Sequence, residues 1–562
     1  MSVTRLAAFE PLGTAERAVL ASLGDGTFVR LGDGEIPEGP DDARTVRAAF
    51  LRVLLLGGED VPFVHEKGVR LAGAFVEGTL DLEGCRIARS LGLFDCRLER
   101  TLVLRAAVID ALHLDGSALP GLLAERIEAR GDVSLGSTAV DGAVRLGNGR
   151  IGGSLVVDAA VLDSGLDVAL DASGVETRGG FFLRGARVRG GISLANATVG
   201  SDLEAIGLEI TRADAVAFDA SGITVAGNLA LRRASVEGEA ILDGAHIGGD
   251  LDLSGAHLSA PGGAAFGLAR ATVDGAFILR ESATVNGLLQ LNGTTVGLLV
   301  DAPASWPGPG DLSLNGFLYG GFLASPVDAA TRLRWLALQD PTRSGDGFWP
   351  QPYETLAGVL ARMGHHEDAS AVLFEKERLQ RRARRARASP LLRTALTVRD
   401  AVLLVTVGFG LRPHLAVIWL AALWFVGALL MAAAENRDAI RPNVALVLRS
   451  PEWLQCGRSV GETVHLVSLG DTREGLAAPD QSQLACWRAL PEAGSFPKFN
   501  AWMFAGDAML PALQTGQRDY WSADTRQPFG VLVKSIIHLI TVAGWALSLL
   551  AVAAFSGLVR SR

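Results

Sequence analysis

Apolar residues recur through the middle of the chain at a spacing that suits neither a helix nor a long two-sided strand. In "GGFFLRGARVRGGISLANATVGSDL", residues 179–203, Leu183, Ala186 and Val188 return eleven residues later as Leu194, Ala197 and Val199. In "GEAILDGAHIGGDLDLSGAHL", Leu242, Ala245 and Ile247 return as Leu253, Ala256 and Leu258. Earlier, Leu82, Ile87, Leu93, Leu98 and Leu104 alternate steps of five and six. An apolar residue every five or so, with a small one between, predicts very short strands joined by corners. The unit is roughly G-x-φ-x-L-x-x-A-x-V, where φ is an apolar residue, and it runs from about Gly68 to about Val300.

Two units make one coil of about 21 residues, which gives ten or eleven coils. At an inter-strand spacing of about 4.8 Å, ten coils stack into a rod on the order of 50 Å long. Small residues such as Ala107, Ala186 and Ala245 would fit beside the corners. Gly190, Gly248 and Gly249 would supply backbone angles that other residues avoid. One coil cannot bury its own apolar residues, so the rod needs its neighbours and a cap at each end. The predicted caps begin with residues 1–66, where "GTAERAVLASLG" and "DARTVRAAFLRVLLLGG" read as two amphipathic helices. The repeat domain then covers 67–323, with "DLSLNGFLYGGF" as a last coil or cap.

This segment resembles pentapeptide-repeat and related right-handed parallel β-helix proteins. The steps of five match that family. The interposed steps of six and the scarcity of A-[DN]-L-x-x depart from it. The resemblance implies a fold, mainly β, and says little about function. Residues 67–301 carry 29 Asp or Glu against 20 Lys or Arg, a spread excess that reads as solvated outer faces. Cys85 and Cys96 stand in equivalent positions of successive units and read as buried free thiols.

Beyond the repeat the period becomes helical. "SPVDAATRLRWLALQD" predicts a helix with Pro in its first turn. "QPYETLAGVLARMGHHEDASAVLFEKERLQRR" predicts a helical hairpin broken at Gly364, similar to one tetratricopeptide-like pair, with His365 and His366 in an exposed turn. This connector covers 324–398 and ends in a basic run containing Arg381, Arg382, Arg384, Arg385 and Arg387. Its position just before an apolar segment assigns these arginines to anionic lipid and to membrane topology.

Residues 399–435 predict an interfacial helix and a first membrane span, because 414–434 contains no Asp, Glu, Lys or Arg. Residues 531–562 predict a second span, best from Ser535 to Val559, followed by Arg560 and Arg562. Lys534 and His538 would sit at its outer interface. Basic flanks on one side place both termini in the cytoplasm of a bacterial inner membrane and export the loop 436–530. Cys456 and Cys486 both fall in that loop, as a disulfide or as two separate thiols. Its segment "FNAWMFAGDAMLPALQTGQRDYW" predicts a short amphipathic helix near 499–513, stopped close to Pro511. Trp502, Tyr520 and Trp521 suit a membrane interface, and Asp507 faces water. If a pore exists, Asp507 and Gly516 mark it.

"TVGFG" at 406–410 has the letters of a potassium-channel filter, but no span precedes it and Leu411 follows where channel filters usually carry Asp. It reads instead as a bend in which Gly408 and Gly410 make the turn and Pro413 starts the first span.

Composition narrows the function. The net charge of −9 argues against non-specific nucleic-acid binding. Only four of the 52 basic residues are Lys, a usage similar to GC-rich bacterial genomes. "MSVTRLAAFEPLG" has no signal-peptide pattern. The ensemble of repeat, hairpin, "FNAWMFAGDAMLPALQTGQRDYW" and "GWALSLLAVAAFSGLVR" resembles a bacterial membrane-protein family often named automatically as membrane-associated oxidoreductase. No strand–G-x-G-x-x-G–helix unit and no haem, flavin or iron–sulfur pattern accompanies that name, so no catalytic, cofactor or metal residue is assigned. The expectation is a membrane-anchored scaffold or sensor with an unidentified cytoplasmic protein partner. A homo-oligomeric two-helix channel is the alternative reading, and an oxidoreductase the third.

Overall fold

The computed structural model describes residues 5–58, 60–466, 470–510 and 512–556. Val559, Arg560 and Arg562, which close the expected second span, lie outside the described residues, as does Pro511. The chain divides into two compact units, Met1–Lys376 and Glu377–Arg562.

The first unit is a parallel β-solenoid of about 12 coils averaging about 22 residues. Coil length is not uniform. Side-chain contacts between equivalent corners step 22 residues from Asn228 to Asp250 and 26 residues from Asp202 to Asn228 and from Asp250 to Ala276. The added residues lie in long strands such as Val161–Asp171 and Glu209–Asp219. A fixed coil of 21 therefore fails in the second half of the rod.

Each corner needs one residue in the left-handed region. Ala106, Gly116, Arg126, Ser137, Asn148 and Ala159 hold φ between 51° and 70°. Five of these six are not glycine, and at those five the tight stack offsets a local cost of about 1 kcal/mol each. The expected small residues Ala107, Ala186 and Ala245 follow such corners and are fully buried. At the same place Ser117 and Thr138 donate to the carbonyls of Leu93 and Leu114 in the preceding coil, and Cys96 Sγ points at Leu71 O. Cys96 thus fills a hydroxyl position, and burial pushes its thiol up to about 12. Cys85 is only half-buried, contrary to expectation, because its corner opens toward Arg52.

A second ladder explains the Gly pairs. Asp202 Oδ1 accepts from Asn228 N, Asn228 Oδ1 from Asp250 N, and Asp250 Oδ1 from Ala276 N. A Cβ on Gly249 would lie 2.4 Å from Asn228 Oδ1, and one on Gly248 would lie 2.4 Å from Ala226 O. Of the three glycines expected to serve through their backbone angles, only Gly190 does, at φ 125°. Gly248 and Gly249 serve by making room.

The ends are closed differently. The first residues are not a purely helical cap. After helix α1 (Thr14–Ser22), strands Val29–Arg30 and Thr45–Arg47 pair in parallel with Leu71–Ala72 and Phe75–Glu77. Pieces of two or three residues carry no readable period. Helix α2 (Ala48–Leu56) buries Phe50 and Leu51 completely and stops at Gly57. Glu16, almost fully buried on α1, accepts from Arg47 Nε at 2.7 Å and Nη2 at 2.6 Å, and from the backbone of Gly13 and Arg47. Burial would raise its pKa, but these hydrogen bonds hold it below the usual carboxylate range.

At the other end, Leu312–Ser313 and Leu318–Phe322 form a last coil. Helices α3 (Ala329–Leu336) and α4 (Gln351–Arg362) and the start of α5 (His366–Ala386) follow. The Gln351 amide accepts from Gly316 N and donates to Phe317 O, meeting the open edge. Arg332, with no exposed surface, donates through both Nη atoms to Asp301 at 2.8 Å and lies 3.8 Å from the Phe322 ring centroid. Trp306 Nε1 donates to the same carboxylate.

Replacing Asp301 by Ala strands a buried guanidinium and should cost about 3–5 kcal/mol in urea unfolding, whereas a paired Asp301→Leu, Arg332→Met change recovers most of it. Glu16 predicts an acid response. Its folded pKa is lowered, so its stabilisation is complete at neutral pH, begins to fall near the unfolded value of about 4.3, and is lost below the folded value. Protease sensitivity of residues 5–58 should rise on that limb in the wild type, and the rise should be absent in Glu16→Gln.

Candidate functional site: the second unit and its disulfide-linked module

The second unit begins with the end of α5 and with α6 (Pro390–Val407). Asp400 on α6 is buried and accepts from Arg381 Nη1 at 3.2 Å, Arg385 Nη1 at 2.5 Å and Arg399 Nη2 at 3.0 Å. Burial alone would raise its pKa, and the three guanidiniums hold it below the usual range. Arg381 and Arg385, expected on lipid, are therefore engaged inside the protein. Arg382, Arg384 and Arg387 remain exposed. The reason is helical spacing: Arg381 and Arg385 share a face, and that face meets α6. The opposite side of α6 exposes Leu391, Leu392, Val398, Val402 and Val405.

Helix α6 stops at three consecutive left-handed residues, Gly408, Phe409 and Gly410, with φ of 53°, 58° and 84°. Phe409 is buried under Arg381, 4.7 Å from the guanidinium to the ring centroid. Pro413 then caps α7 (His414–Glu435). "TVGFG" is thus a helix stop and turn, with no extended run of aligned carbonyls.

α7 and α13 (Pro528–Phe555) are long and apolar enough to cross a membrane. Only 22% of the most apolar stretch of each is buried, unlike the core helix of a soluble domain. Between them sits α11 (Ala501–Met509), capped by the Asn500 side chain. Gly427 of α7 faces Ala505 and Ile540, and a Cβ on Gly544 of α13 would lie 2.4 Å from Met509 O. α11 is therefore packed between the two apolar helices and is not a surface helix. Small residues at three crossings permit that approach.

Asp507 does not simply face water. Its carboxylate accepts from Thr515 N at 2.6 Å and Gln517 N at 2.9 Å, on either side of Gly516, whose φ is 80°. It closes the return of the chain after α11 and starts α12 (Gln517–Tyr520). Trp502 is 44% exposed, packs on Trp424 and Phe425, and accepts at its carbonyl from Trp424 Nε1. Trp521 is a core residue, 2% exposed, donating to Pro497 O. It is not an interface residue.

The segment expected as a loop is a folded module. After α7, Ile440–Pro442 pairs antiparallel with Trp521–Ala523, and Thr463–Leu466 with Asp471–Glu474. Helices α8 (Ala445–Leu448), α9 (Pro451–Gln455) and α10 (Gln483–Arg488) enclose a core of Trp453, Trp487, Phe499, Phe504 and Trp521. Its rings meet mostly edge to face, as Trp453–Trp487 at 5.7 Å and Phe496–Trp521 at 5.4 Å. Cys456 and Cys486 form a disulfide, so the two-thiol alternative is not adopted. The signal for this module was the Trp density together with Ser450 and Ser482, which cap α9 and α10.

Two cavities open in the module. One of about 360 Å³ lies beside Trp487, Phe496 and Trp521, with Arg488 paired to Glu435 across it. The other, of about 260 Å³, lies near the junction of α7 and α13 with the module. Among the described residues no cluster of three His, Cys, Asp or Glu side chains could hold a metal ion. No protein-family model, curated protein or solved structure matches the chain.

The disulfide closes a separation of 30 residues, so Cys456→Ser with Cys486→Ser should cost the module about 3–4 kcal/mol. Near-ultraviolet circular dichroism of the tryptophan core should lose its transition on reduction. In the native protein a thiol reagent should label Cys85 and leave Cys96 unmodified.

Proposed function

We propose that the chain is a membrane-anchored interaction protein. The supporting observation is a solenoid closed at both ends, joined in one chain to two apolar helices whose surfaces the rest of the unit leaves largely uncovered. Closed ends direct recognition to the flanks of the coil stack. One flank carries a recess of about 610 Å³ where Glu128, Arg150, Glu176 and Thr198 form a column beside Arg130 and Arg178. Its mixed charge suits a polar protein surface. In this reading the coil is right-handed, as the strong preference of parallel crossovers supports, and pentapeptide-repeat-like, as the steps of five in the first coils suggest. The helices cross a bacterial inner membrane with both termini cytoplasmic, and the disulfide supports export of the module. Arg382, Arg384 and Arg387 contact anionic lipid.

Photo-crosslinking in cells tests it. Removing 67–323 should abolish partner recovery while carbonate-resistant membrane insertion persists, and a paired Arg150→Glu, Arg178→Glu change should weaken recovery several-fold. Recovery of the same partners without the solenoid overturns the reading.

A second reading is favoured by one specific arrangement, the short α11 seated between two apolar helices. It makes the second unit one subunit of an oligomeric pore. A monomeric mass in detergent removes it. A symmetric tetramer or pentamer that conducts in a planar bilayer supports it.

A further inference from the structure

Ile440–Pro442 lies just beyond α7, and its partner strand Trp521–Ala523 lies just before α13. The sheet thus brings together the chain leaving one apolar helix and the chain entering the other. The 260 Å³ cavity at this place has Asp438, Arg441, Ser482, Gln483, Asp524 and Arg526 in its wall. Four of these are engaged with the protein. Asp524, 5% exposed, accepts from Arg526 Nε at 2.8 Å and Nη2 at 2.5 Å. Arg526 Nη1 donates to Gln483 Oε1, and Gln483 Nε2 donates to Trp453 O. Ser482 Oγ accepts from Ala485 N.

Arg441 and Asp438 are left over. Among the described residues, neither side chain has a hydrogen-bond or ion-pair partner, and they do not pair with each other. Arg441 Nε is shut off from solvent with nothing to donate to, and its charge reaches Asp524 only through space. A donor closed off from water without an acceptor is costly, and native structures seldom keep one; the Arg441 side chain as a whole is half-buried. The charge sum of the four titratable groups is zero, so the cavity is not a general anion sink. Among the described residues, its wall offers one cation and one anion without partners.

We propose that this cavity binds a phosphate joined to a primary amine, the head-group chemistry of phosphatidylethanolamine. The phosphate faces Arg441, whose planar fork matches two phosphate oxygens, and the ammonium faces Asp438. The volume accommodates a head group and excludes acyl chains. Those chains would lie along the uncovered apolar faces of α7 and α13, which end at the cavity. The same head group could arrive as a soluble phosphoamine.

The test uses the full-length protein in phosphatidylcholine bilayers doped with phosphatidylethanolamine or with phosphatidylglycerol, solubilised and weighed by native mass spectrometry. At least tenfold greater retention of phosphatidylethanolamine is expected. Arg441→Gln should reduce that retention at least tenfold, and Asp438→Asn should bring it down to the phosphatidylglycerol level. Displacement by soluble O-phosphoethanolamine assigns the site to a soluble compound, and retention without displacement assigns it to the lipid. Equal retention of the two lipids, or undiminished retention in Arg441→Gln, overturns the proposal. A measurement that needs no variant is the wild-type thermal midpoint, which should be higher in the phosphatidylethanolamine bilayer than in the phosphatidylglycerol one. Equal midpoints overturn it as well.

Discussion

A parallel ladder has two ends, and each end leaves a row of backbone donors and acceptors with no next strand. The solenoid depends on how those rows are met, because no coil is stable without its neighbours. At the start, α2 lies beyond a half-coil contributed by Thr45–Arg47, and the Glu16–Arg47 pair ties α1 to that strand. At the finish, the Gln351 amide meets the last edge, and Arg332–Asp301 fixes α3 over it. The interior coils repeat one solution many times, whereas the ends had to be solved singly.

That contrast sets how much of the fold is legible in the sequence. The repeat announces itself because each half-coil needs an inward Leu, Val or Ile and a small residue beside a corner, and these needs recur. The corner residue itself does not announce itself. Arg126, Ser137 and Ala159 adopt the same left-handed geometry as Gly116, because the stack fixes their backbone whatever the side chain prefers. Coil length is equally hidden. Four added residues in a long strand leave the inward pattern intact on both sides, so a count based on one period drifts. Thr45–Arg47 is invisible because three residues hold no period, and only pairing with Phe75–Glu77 makes them a strand.

In the second unit the long apolar helices were legible by composition, and the bend at 408–410 by its glycines. What α11 does was not. An amphipathic pattern fits a helix lying on water and a helix lodged between two apolar neighbours equally well. The glycines that decide it, Gly427 and Gly544, lie far away in sequence. Asp507 departs from expectation for a related reason. A lone acid among apolar residues suggests solvent or an ion, yet here the chain turns back within ten residues and supplies two backbone donors to it. The module core is hard to read because its helices run only four to six residues and its strands three or four.

One motif recurs wherever the architecture changes. A buried carboxylate takes arginine at the first cap (Glu16), at the last coil (Asp301), at the α5–α6 turn (Asp400) and at the entry to α13 (Asp524). Such pairs add little net stability, because removing both charges from water costs about as much as their attraction returns. Their value is geometric. Where the partners come from different segments, as at Glu16, Asp301 and Asp400, the planar fork holds one arrangement of the two and penalises others. A chain that switches from coil to helix has many apolar ways to pack at the junction, and a clamp that tolerates one geometry removes the rest. Arginine suits the task where lysine does not, since a point charge on a flexible stem fixes a distance without fixing an orientation. Arg441 lines the same cavity as one of these clamps and, among the described residues, has no carboxylate partner. The head-group phosphate proposed for this cavity would stand to it as a carboxylate stands to the clamped arginines.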